Sequence, residues 1–268
     1  MSYLSANSKR PLIIAHRGSS SVAPENTLAA FAQAIADGAD GIEFDVQLAK
    51  DGVPVVIHDA NLRRTANCRD TIKNLTSTEL ASIDVGGWFN RKYPRRAKMA
   101  YANERIPTLT QVFDLVVSNA HSEFACYVEL KVDQRDTAYD DLVDSVLSSI
   151  DAHRLSHNTT IVSFNLAALA YTKLRKPSIR TGALFKPIAL TAKRKLIIIN
   201  RATECGATEI LLHRLMARRG MIDLALKSGL TPVVWTADDP RWLQRAKRLG
   251  IHSLITNTPA KLLARLDS

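Results

Sequence analysis

Residues 38–59 read GADGIEFDVQLAKDGVPVVIHD, and this stretch carries a strong signal of the fold. Two apolar runs, 41–47 and 53–57, flank the dipeptide Asp51-Gly52. Asp-Gly between apolar runs is a strong signal for a two-residue hairpin loop. We therefore expect a strand over 41–47 that carries an antiparallel flap.

Short apolar runs of the same kind recur along the chain, with helix-like segments between them. The predicted barrel strands are eight: Leu12–His16, Gly41–Gln47, Cys126–Lys131, Thr160–Phe164, Thr181–Phe185, Glu209–His213, Pro232–Thr236 and Ser253–Thr256. Helical periodicity indicates connectors over Thr27–Asp37, Thr108–Asn119 and Leu142–His153. Strands that alternate with helices are typical of parallel sheets, and eight such units predict an α/β fold, a closed TIM (β/α)8 barrel.

The length and composition fit a single domain over residues 1–268. A chain of 268 residues that is 46% hydrophobic can bury one large core, and α/β barrels commonly use about this length. One stretch, about 60–105, is too long for an ordinary loop between a strand and a helix. It carries its own helix signal at Thr76–Leu80. We expect it to form a small insertion above the barrel mouth.

A two-residue hairpin loop predicts where the ionisable residues of this stretch lie. Lys50 would pair with Val53, which places Asp45 opposite His58. Glu43 leaves the same face of the strand, about 6.5–7 Å from Asp45. Two carboxylates this close repel each other unless one is protonated or a cation lies between them, and their oxygens suit magnesium or calcium. The alternative is a polar strand face, but paired acids in a barrel belong at its open end.

Three further strand ends carry candidate site residues. His16 and Arg17 close the first strand, and the planar guanidinium of Arg17 fits phosphate oxygens, although a single histidine there can also be structural. Glu129 and Lys131 close the third barrel strand, where they form either a salt bridge or an oxygen ligand beside an anion-facing cation. Trp235 either packs under a loop or forms an apolar wall for a substrate.

The formal charge of +10 indicates acidic ligands, but its basic stretches, 91–98, 186–195 and 214–219, lie apart in sequence. None is interleaved with aromatic residues in the way that single-strand binders usually are, and no recognisable nucleic-acid motif is present, so we expect no nucleic-acid partner. The chain starts without an apolar leader, and no stretch approaches the roughly 20 apolar residues that span a bilayer. We expect a cytoplasmic protein without stable membrane insertion. The oligomeric state is left open.

Taken in order, a series of motifs resembles the glycerophosphodiester phosphodiesterase family. They are AHRG (15–18), PENT (24–27), the stretch 38–59, RT (64–65), IPTL (106–109), VELK (128–131), SF (163–164) and VVWTADD (233–239). The resemblance covers about residues 12–263. It implies a TIM barrel with a small insertion and the hydrolysis of glycerophosphodiesters, its small-molecule substrates, to glycerol 3-phosphate and an alcohol.

The resemblance also implies roles for individual residues. Glu43, Asp45 and Glu129 match the ligands of a divalent metal ion, either Mg²⁺ or Ca²⁺, and His16 and His58 match the general acid and base. In the same way, Arg17 and Lys131 match phosphate-contacting positions, and we expect Trp235 to contact the substrate.

Two positions depart from the family pattern. Asn257 stands where the family usually has aspartate, and Asp238 stands where it often has asparagine. Three alternatives remain beside the main hypothesis. They are a lysophospholipase D that acts on lysophospholipids, a non-catalytic phosphodiester-binding protein, and a nucleic-acid or anionic-membrane binder suggested by charge alone.

Overall fold

The computed structural model describes residues 10–133 and 137–266. The strands in this part of the chain are β1 (Leu12–His16), β2 (Gly41–Leu48), β3 (Pro54–Val56), β4 (Ala125–Leu130), β5 (Thr159–Ser163), β6 (Arg180–Phe185), β7 (Glu209–His213), β8 (Thr231–Trp235) and β9 (Ser253–Thr256). The helices are α1 (Leu28–Ala36), α2 (Arg63–Ala66), α3 (Ser77–Leu80), α4 (Gly87–Lys92), α5 (Leu109–Asn119), α6 (Asp140–Ala152), α7 (Leu166–Arg175), α8 (Ala192–Glu204), α9 (Arg219–Lys227), α10 (Arg241–Leu249) and α11 (Pro259–Leu263).

Eight of these strands form a closed parallel ring. The hydrogen-bonded order is β1-β9-β8-β7-β6-β5-β4-β2, and pairing of β1 with β2 closes it. Strand β3 is bonded to β2 outside the ring and runs antiparallel to it. Helices lie between the successive ring strands. The predicted TIM barrel is confirmed, and the predicted strands agree with the observed ones to within one residue at each end.

Side chains alternate between the inside of the ring and the surrounding helices, because successive residues of a strand point to opposite faces. The inner cluster contains Ile14, Ala125, Tyr127, Val162, Leu184, Leu211, Val233 and Ile255. Outward-facing Phe44 packs edge-to-face on Phe31 of α1 and Phe113 of α5. Since Phe44 faces outwards, its neighbours Glu43 and Asp45 face the barrel interior near its carboxyl end.

The loop of the hairpin contains three residues rather than the expected two. Val46 pairs with Val56, and the loop is Lys50–Gly52. Gly52 lies in the left-handed region with φ of 76°, which is the position that a three-residue hairpin loop reserves for glycine. The Asp-Gly signal was therefore right about the hairpin and wrong about the length of its loop.

This one-residue difference changes the partner of Asp45. Asp45 lies opposite Ile57, whose N–H donates to the Asp45 carbonyl at 2.9 Å. The predicted pairing of Asp45 with His58 is wrong. His58 reaches the barrel mouth from beyond the strand, where the Gln47 side chain donates to the carbonyls of Ile57, His58 and Asp59 at 2.9, 3.2 and 3.1 Å.

The segment between β3 and α5 forms the expected insertion over the barrel mouth. It contains α2, α3, α4 and short 3₁₀ turns. Leu62, Ile72 and Leu80 pack with apolar residues of the hairpin, while Phe89 of α4 packs with Ala23 and Ala30. Helix α3 begins at Thr76, whose hydroxyl and the Glu79 carboxylate form a capping box. Arg96 and the Tyr101 hydroxyl donate to carbonyls in the loop after β1, at Ser21 and Val22. These bonds attach the insertion to the mouth. Within the described residues, no helix is long and apolar enough to cross a bilayer.

Candidate active site

The carboxyl ends of three neighbouring strands bring together the candidate residues at the barrel mouth. The register pairs His16 of β1 with Glu43 of β2, and Asp45 of β2 with Glu129 of β4. All ring strands are parallel, so these side chains lie at the same end of the barrel, which is where barrel enzymes build their sites. His16 Nε2 lies 3.8 Å from a Glu43 carboxylate oxygen.

Three buried carboxylates form the centre of this site. Glu43, Asp45 and Glu129 each offer an oxygen within 4.8 Å of the other two. Lys131 Nζ lies 2.6 Å from a Glu129 oxygen and 2.9 Å from Asp45 Oδ1. Arg17 Nε lies 3.1 Å from Asp45 Oδ2. Three acids therefore share two cations, which leaves one negative charge in excess when all three acids are ionised.

The protonation of the three acids follows from burial and from these neighbours. Burial and the charges of Asp45 and Glu129 raise the pKa of Glu43 well above its usual range. Burial, opposed by Lys131, raises the pKa of Glu129 to about 7. Burial also disfavours ionised Asp45, but Lys131 and Arg17 outweigh it and hold the pKa of Asp45 below its ordinary value.

A divalent cation fits this donor set. The three side chains offer hard oxygen ligands, which magnesium and calcium prefer. Burial and the charges of Asp45 and Glu129 raise the pKa of Glu43, and a bound cation would offset both effects. The group Glu43, Asp45 and Glu129 could therefore hold a metal ion.

His16 is fixed by the loop that follows the last strand. Its Nδ1 lies 2.7 Å from Asn257 Oδ1, and the amide oxygen can only accept, so Nδ1 carries the proton and Nε2 faces Glu43 unprotonated in the neutral ring. Burial and the charge of Arg17 lower the pKa of His16 to about 4. The imidazole is therefore neutral and basic at Nε2 near pH 7.

The two departures from the family pattern are in contact with each other. Asn257 Nδ2 donates to Asp238 Oδ2 at 2.9 Å, and the Asn257 backbone N–H donates to Asp238 Oδ1 at 2.7 Å. The two positions thus form one hydrogen-bonded pair of an amide and a carboxylate. Asp238 also fixes the orientation of the amide, because only Nδ2 can donate to a carboxylate, and this turns Oδ1 towards His16.

A chain of charged hydrogen bonds links the second histidine to Arg17. His58 Nδ1 lies 2.6 Å from Asp59, and Arg64 donates to Asp59 at 2.6 Å. The other edge of the Arg64 guanidinium donates to both oxygens of Glu25 at 2.7 and 2.8 Å, and Arg17 donates to Glu25 at 2.8 Å. Burial lowers the pKa of His58, so this imidazole too is held towards its neutral form.

The backbone after β1 has to turn sharply to bring Arg17 into this network. Arg17 and Gly18 both lie in the left-handed region, with φ of 55° and 78°. A Cβ at Gly18 would lie 2.6 Å from the carbonyl group of Ala30 in α1, so only glycine fits there. The Arg17 N–H donates to the Glu43 carbonyl at 2.7 Å, which ties the turn to β2.

The cavity at the mouth, about 230 Å³ in volume, has one polar and one apolar side. The polar side comes from β1, β2 and β4 and from the segments that follow β1, β3 and β4, with His16, Arg17, Glu43, His58, Glu129 and Lys131. The other side comes from β5 to β9 and is apolar, with Val162, Phe164, Leu184, Leu211, Trp235 and Ile255, apart from Lys186, which follows β6. Trp235 meets Phe164 edge-to-face at 5.8 Å, and its indole N–H donates to the Leu211 carbonyl at 3.3 Å. Trp235 therefore both packs on its neighbours and lines the cavity.

This arrangement agrees with what the chain is similar to. Residues 16–261 match the glycerophosphoryl diester phosphodiesterase family. The chain belongs to that family. A glycerophosphodiester phosphodiesterase of Caldanaerobacter subterraneus subsp. tengcongensis is 32% identical, with 95% of this chain and 97% of that protein covered. One of Bacillus subtilis is 34% identical, with 93% and 84% covered.

Solved structures give the same answer. A phosphodiesterase of Oleispira antarctica, in complex with the product sn-glycerol-3-phosphate, superposes with a TM-score of 0.83 at 26% identity. The match covers 97% of this chain and 98% of that one. Membership of the glycerophosphoryl diester phosphodiesterase family, and with it the prediction of a phosphoric diester hydrolase, is confirmed.

Several residues that build this site carried no functional prediction. Glu25 lies in a turn that reads as a helix cap, Asp59 and Arg64 lie in the insertion segment, and Lys186 follows β6 and lines the cavity. Glu25, Asp59 and Arg64 fall within motifs of the family, PENT, HD and RT, which is the signal that could have identified them. Lys186 had no such signal.

Proposed function

We propose that this protein hydrolyses glycerophosphodiesters to glycerol 3-phosphate and an alcohol, with a divalent metal ion as cofactor. The observation that carries the proposal is that two imidazoles and the carboxylates of Glu43 and Glu129 line one cavity, with buried Asp45 clustered beside those two acids, in a member of this family. The Oleispira antarctica relative, which binds sn-glycerol-3-phosphate, supports the assignment of a small glycerol-containing phosphate as product.

In this proposal Glu43, Asp45 and Glu129 hold the ion, either Mg²⁺ or Ca²⁺. A bound divalent ion offsets charge on the phosphoryl oxygens. Arg17 and Lys131 contribute further positive charge, with a planar fork in one case and a point charge in the other. Both cations line the cavity beside the acids, so their charge faces a phosphate bound there.

His16 and His58 act as the general acid and base. In both residues Nδ1 is tied to an oxygen acceptor, which leaves Nε2 to exchange a proton. Asn257 and Asp59 hold the rings in this tautomer. A route that fits these groups is attack of the neighbouring glycerol hydroxyl on phosphorus, with its proton passing to one histidine while the P–O bond to the alcohol breaks and the alcohol takes a proton from the other. Water then opens the cyclic phosphate to glycerol 3-phosphate.

The direct test is a metal-by-substrate activity panel on the purified protein. Glycerol 3-phosphate should form from glycerophosphocholine when Mg²⁺ or Ca²⁺ is added, and its formation should stop with EDTA. The His16→Ala and His58→Ala variants should lose turnover, while Asp37→Asn, a change at the end of α1, should keep it. If a broad range of glycerophosphodiesters stays intact with either metal, the proposal fails.

A second candidate is favoured by the apolar side of the cavity. Six apolar side chains face the phosphate-binding side, and Trp235 and Phe164 among them can pack against an acyl chain. Lysophospholipase D activity is therefore the alternative, with Trp235 contacting the lipid rather than a small alcohol. Comparison of kcat/KM for lysophosphatidylcholine and glycerophosphocholine separates the two candidates.

A further inference from the structure

Two basic stretches that lie apart in sequence meet beside the apolar side of the cavity. One is residues 186–197, which follow β6 and begin α8, and the other is residues 214–220, which follow β7 and begin α9. Strands β6 and β7 are neighbours in the ring. A Cβ at Gly220 would lie 3.1 Å from Lys195 Nζ, so the two stretches touch. We call them together the β6–β7 patch.

The charge of the β6–β7 patch is of one sign. It contains Lys186, Lys193, Arg194, Lys195, Arg214, Arg218 and Arg219 and no acidic residue, a formal charge of +7, while the whole chain has +10. Of these seven basic side chains, only Arg219 lies within 4 Å of a carboxylate in the described part of the chain, that of Asp223 at 3.8 Å. The patch therefore holds much of the protein's uncompensated charge beside the substrate cavity.

The same patch exposes large apolar side chains. Nine of them are exposed in the described part of the chain, and four belong to the patch: Ile188 (46%), Leu196 (52%), Ile197 (46%) and Leu215 (63%). The cations alone would be enough to bind the phosphates of a nucleic acid. Exposed Ile and Leu side chains between cations suit the boundary between lipid headgroups and acyl chains.

We propose that the β6–β7 patch is a peripheral docking surface for bilayers that contain anionic lipids. Lys186 belongs both to the patch and to the cavity lining, so docking would place the apolar side of the cavity next to the membrane. A phosphodiester that carries an acyl chain could then enter over Leu184, Leu211 and Trp235. This last step rests on the proposed function, but docking itself does not.

Cosedimentation with vesicles tests docking without catalysis. The purified protein should bind vesicles of equal parts phosphatidylglycerol and phosphatidylcholine at about 0.1 M salt, bind pure phosphatidylcholine far less, and be released at high salt. The Lys193→Glu/Arg194→Glu variant should lower the partition coefficient by about 30-fold or more. Lys227→Glu/Lys247→Glu makes the same charge change in the last turns of α9 and α10, at the opposite end of the barrel, and should bind like the wild type.

The apolar contribution needs its own matched pair. Ile188→Ser/Leu215→Ser should weaken vesicle binding by about tenfold. Val117→Ser/Leu174→Ser removes apolar side chains of α5 and α7 that are at least as exposed, at 57% and 76%, and should leave binding unchanged. Equal losses in the patch and control variants overturn the proposal. Unchanged vesicle binding by Ile188→Ser/Leu215→Ser also overturns it, as does tighter binding of the protein to duplex DNA than to vesicles.

Turnover then separates this proposal from the proposed function. Lys193→Glu/Arg194→Glu should hydrolyse soluble glycerophosphocholine like the wild type but should lose turnover of lysophosphatidylcholine embedded in the mixed vesicles. If the wild-type protein binds vesicles and cleaves neither substrate, the proposed function fails and docking stands. If it cleaves glycerophosphocholine and does not bind vesicles, docking fails alone.

Discussion

Metal binding by the three buried acids should release protons, and the number released should depend on pH. Burial raises the pKa of Glu129 to about 7 and the pKa of Glu43 well above its usual range. Both acids must be ionised to act as metal ligands. Asp45, which Lys131 and Arg17 keep ionised, has no proton to lose. Addition of Mg²⁺ therefore has to displace protons from Glu43 and Glu129.

The size of the effect follows from the pKa of Glu129. With a pKa of about 7, Glu129 is about nine-tenths protonated at pH 6 and about one-tenth protonated at pH 8. Its deprotonation alone should raise the apparent Mg²⁺ affinity by about tenfold between these pH values. Glu43 adds to this increase, because its proton is also held through the neutral range.

The pH dependence of stability has the same direction as that of Mg²⁺ affinity: Mg²⁺ should stabilise the protein more at higher pH. A carboxyl group whose pKa is raised by folding stabilises the metal-free protein at low pH and loses that contribution as pH rises through its folded pKa. For Glu129 this contribution to stability is lost as the pH rises from about 4.5 to about 7. The increase in Tm caused by Mg²⁺ should therefore be larger at pH 8 than at pH 6.

Isothermal titration calorimetry in two buffers of different ionisation enthalpy counts the protons. We expect nearly one more proton released per Mg²⁺ at pH 6 than at pH 8. The Glu129→Gln variant should bind Mg²⁺ more weakly and lose this difference, while Glu123→Gln, a change outside the cavity, should keep it. Equal Mg²⁺ affinity at both pH values without proton release would show that neither Glu43 nor Glu129 gives up a proton to bind the ion.

Three further predictions follow from the contacts of the site. Arg64→Ala should lower kcat for glycerophosphocholine by about 10- to 100-fold with a smaller change in KM, because Arg64 holds both Asp59 beside His58 and Glu25 beside Arg17. Arg63→Ala is the control, and an unchanged kcat in Arg64→Ala contradicts this role. The double variant Asp238→Asn/Asn257→Asp should place a carboxylate beside His16 Nδ1 and raise the pKa of His16. The acidic limb of the pH profile of kcat/KM should then move to higher pH, and a limb at the wild-type position means that His16 does not set it. Trp235→Ala should raise KM for lysophosphatidylcholine more than for glycerophosphocholine, and equal changes would show that Trp235 does not contact the acyl chain.

The barrel could be predicted well because its signals are local. Strands such as Leu12–His16 and Glu209–His213 are short apolar runs between turns, and their bounds agree with the observed ones. The hairpin loop was missed by one residue, because Asp51-Gly52 fits either the centre of a two-residue loop or the end of a three-residue loop with glycine in the left-handed region. Local sequence does not decide between the two.

The relations between distant segments could not be predicted. Asn257 and Asp238 lie 19 residues apart in the sequence, and only the fold shows that they are hydrogen-bonded to each other. Stretches 186–195 and 214–219 looked like scattered charge until adjacent strands brought them together. The single-domain organisation, the cytoplasmic location and the individual roles of the site residues stay predictions.

The most direct test of the account is anomalous diffraction from crystals soaked in Mn²⁺ at pH 8, where Glu129 is largely ionised. We predict one strong peak with oxygen atoms of Glu43, Asp45 and Glu129 at coordinating distance, about 2.0–2.4 Å, and Lys131 displaced from at least one of its two carboxylate partners. A structure in which the ion binds elsewhere, while Lys131 still joins Asp45 and Glu129, would contradict the account.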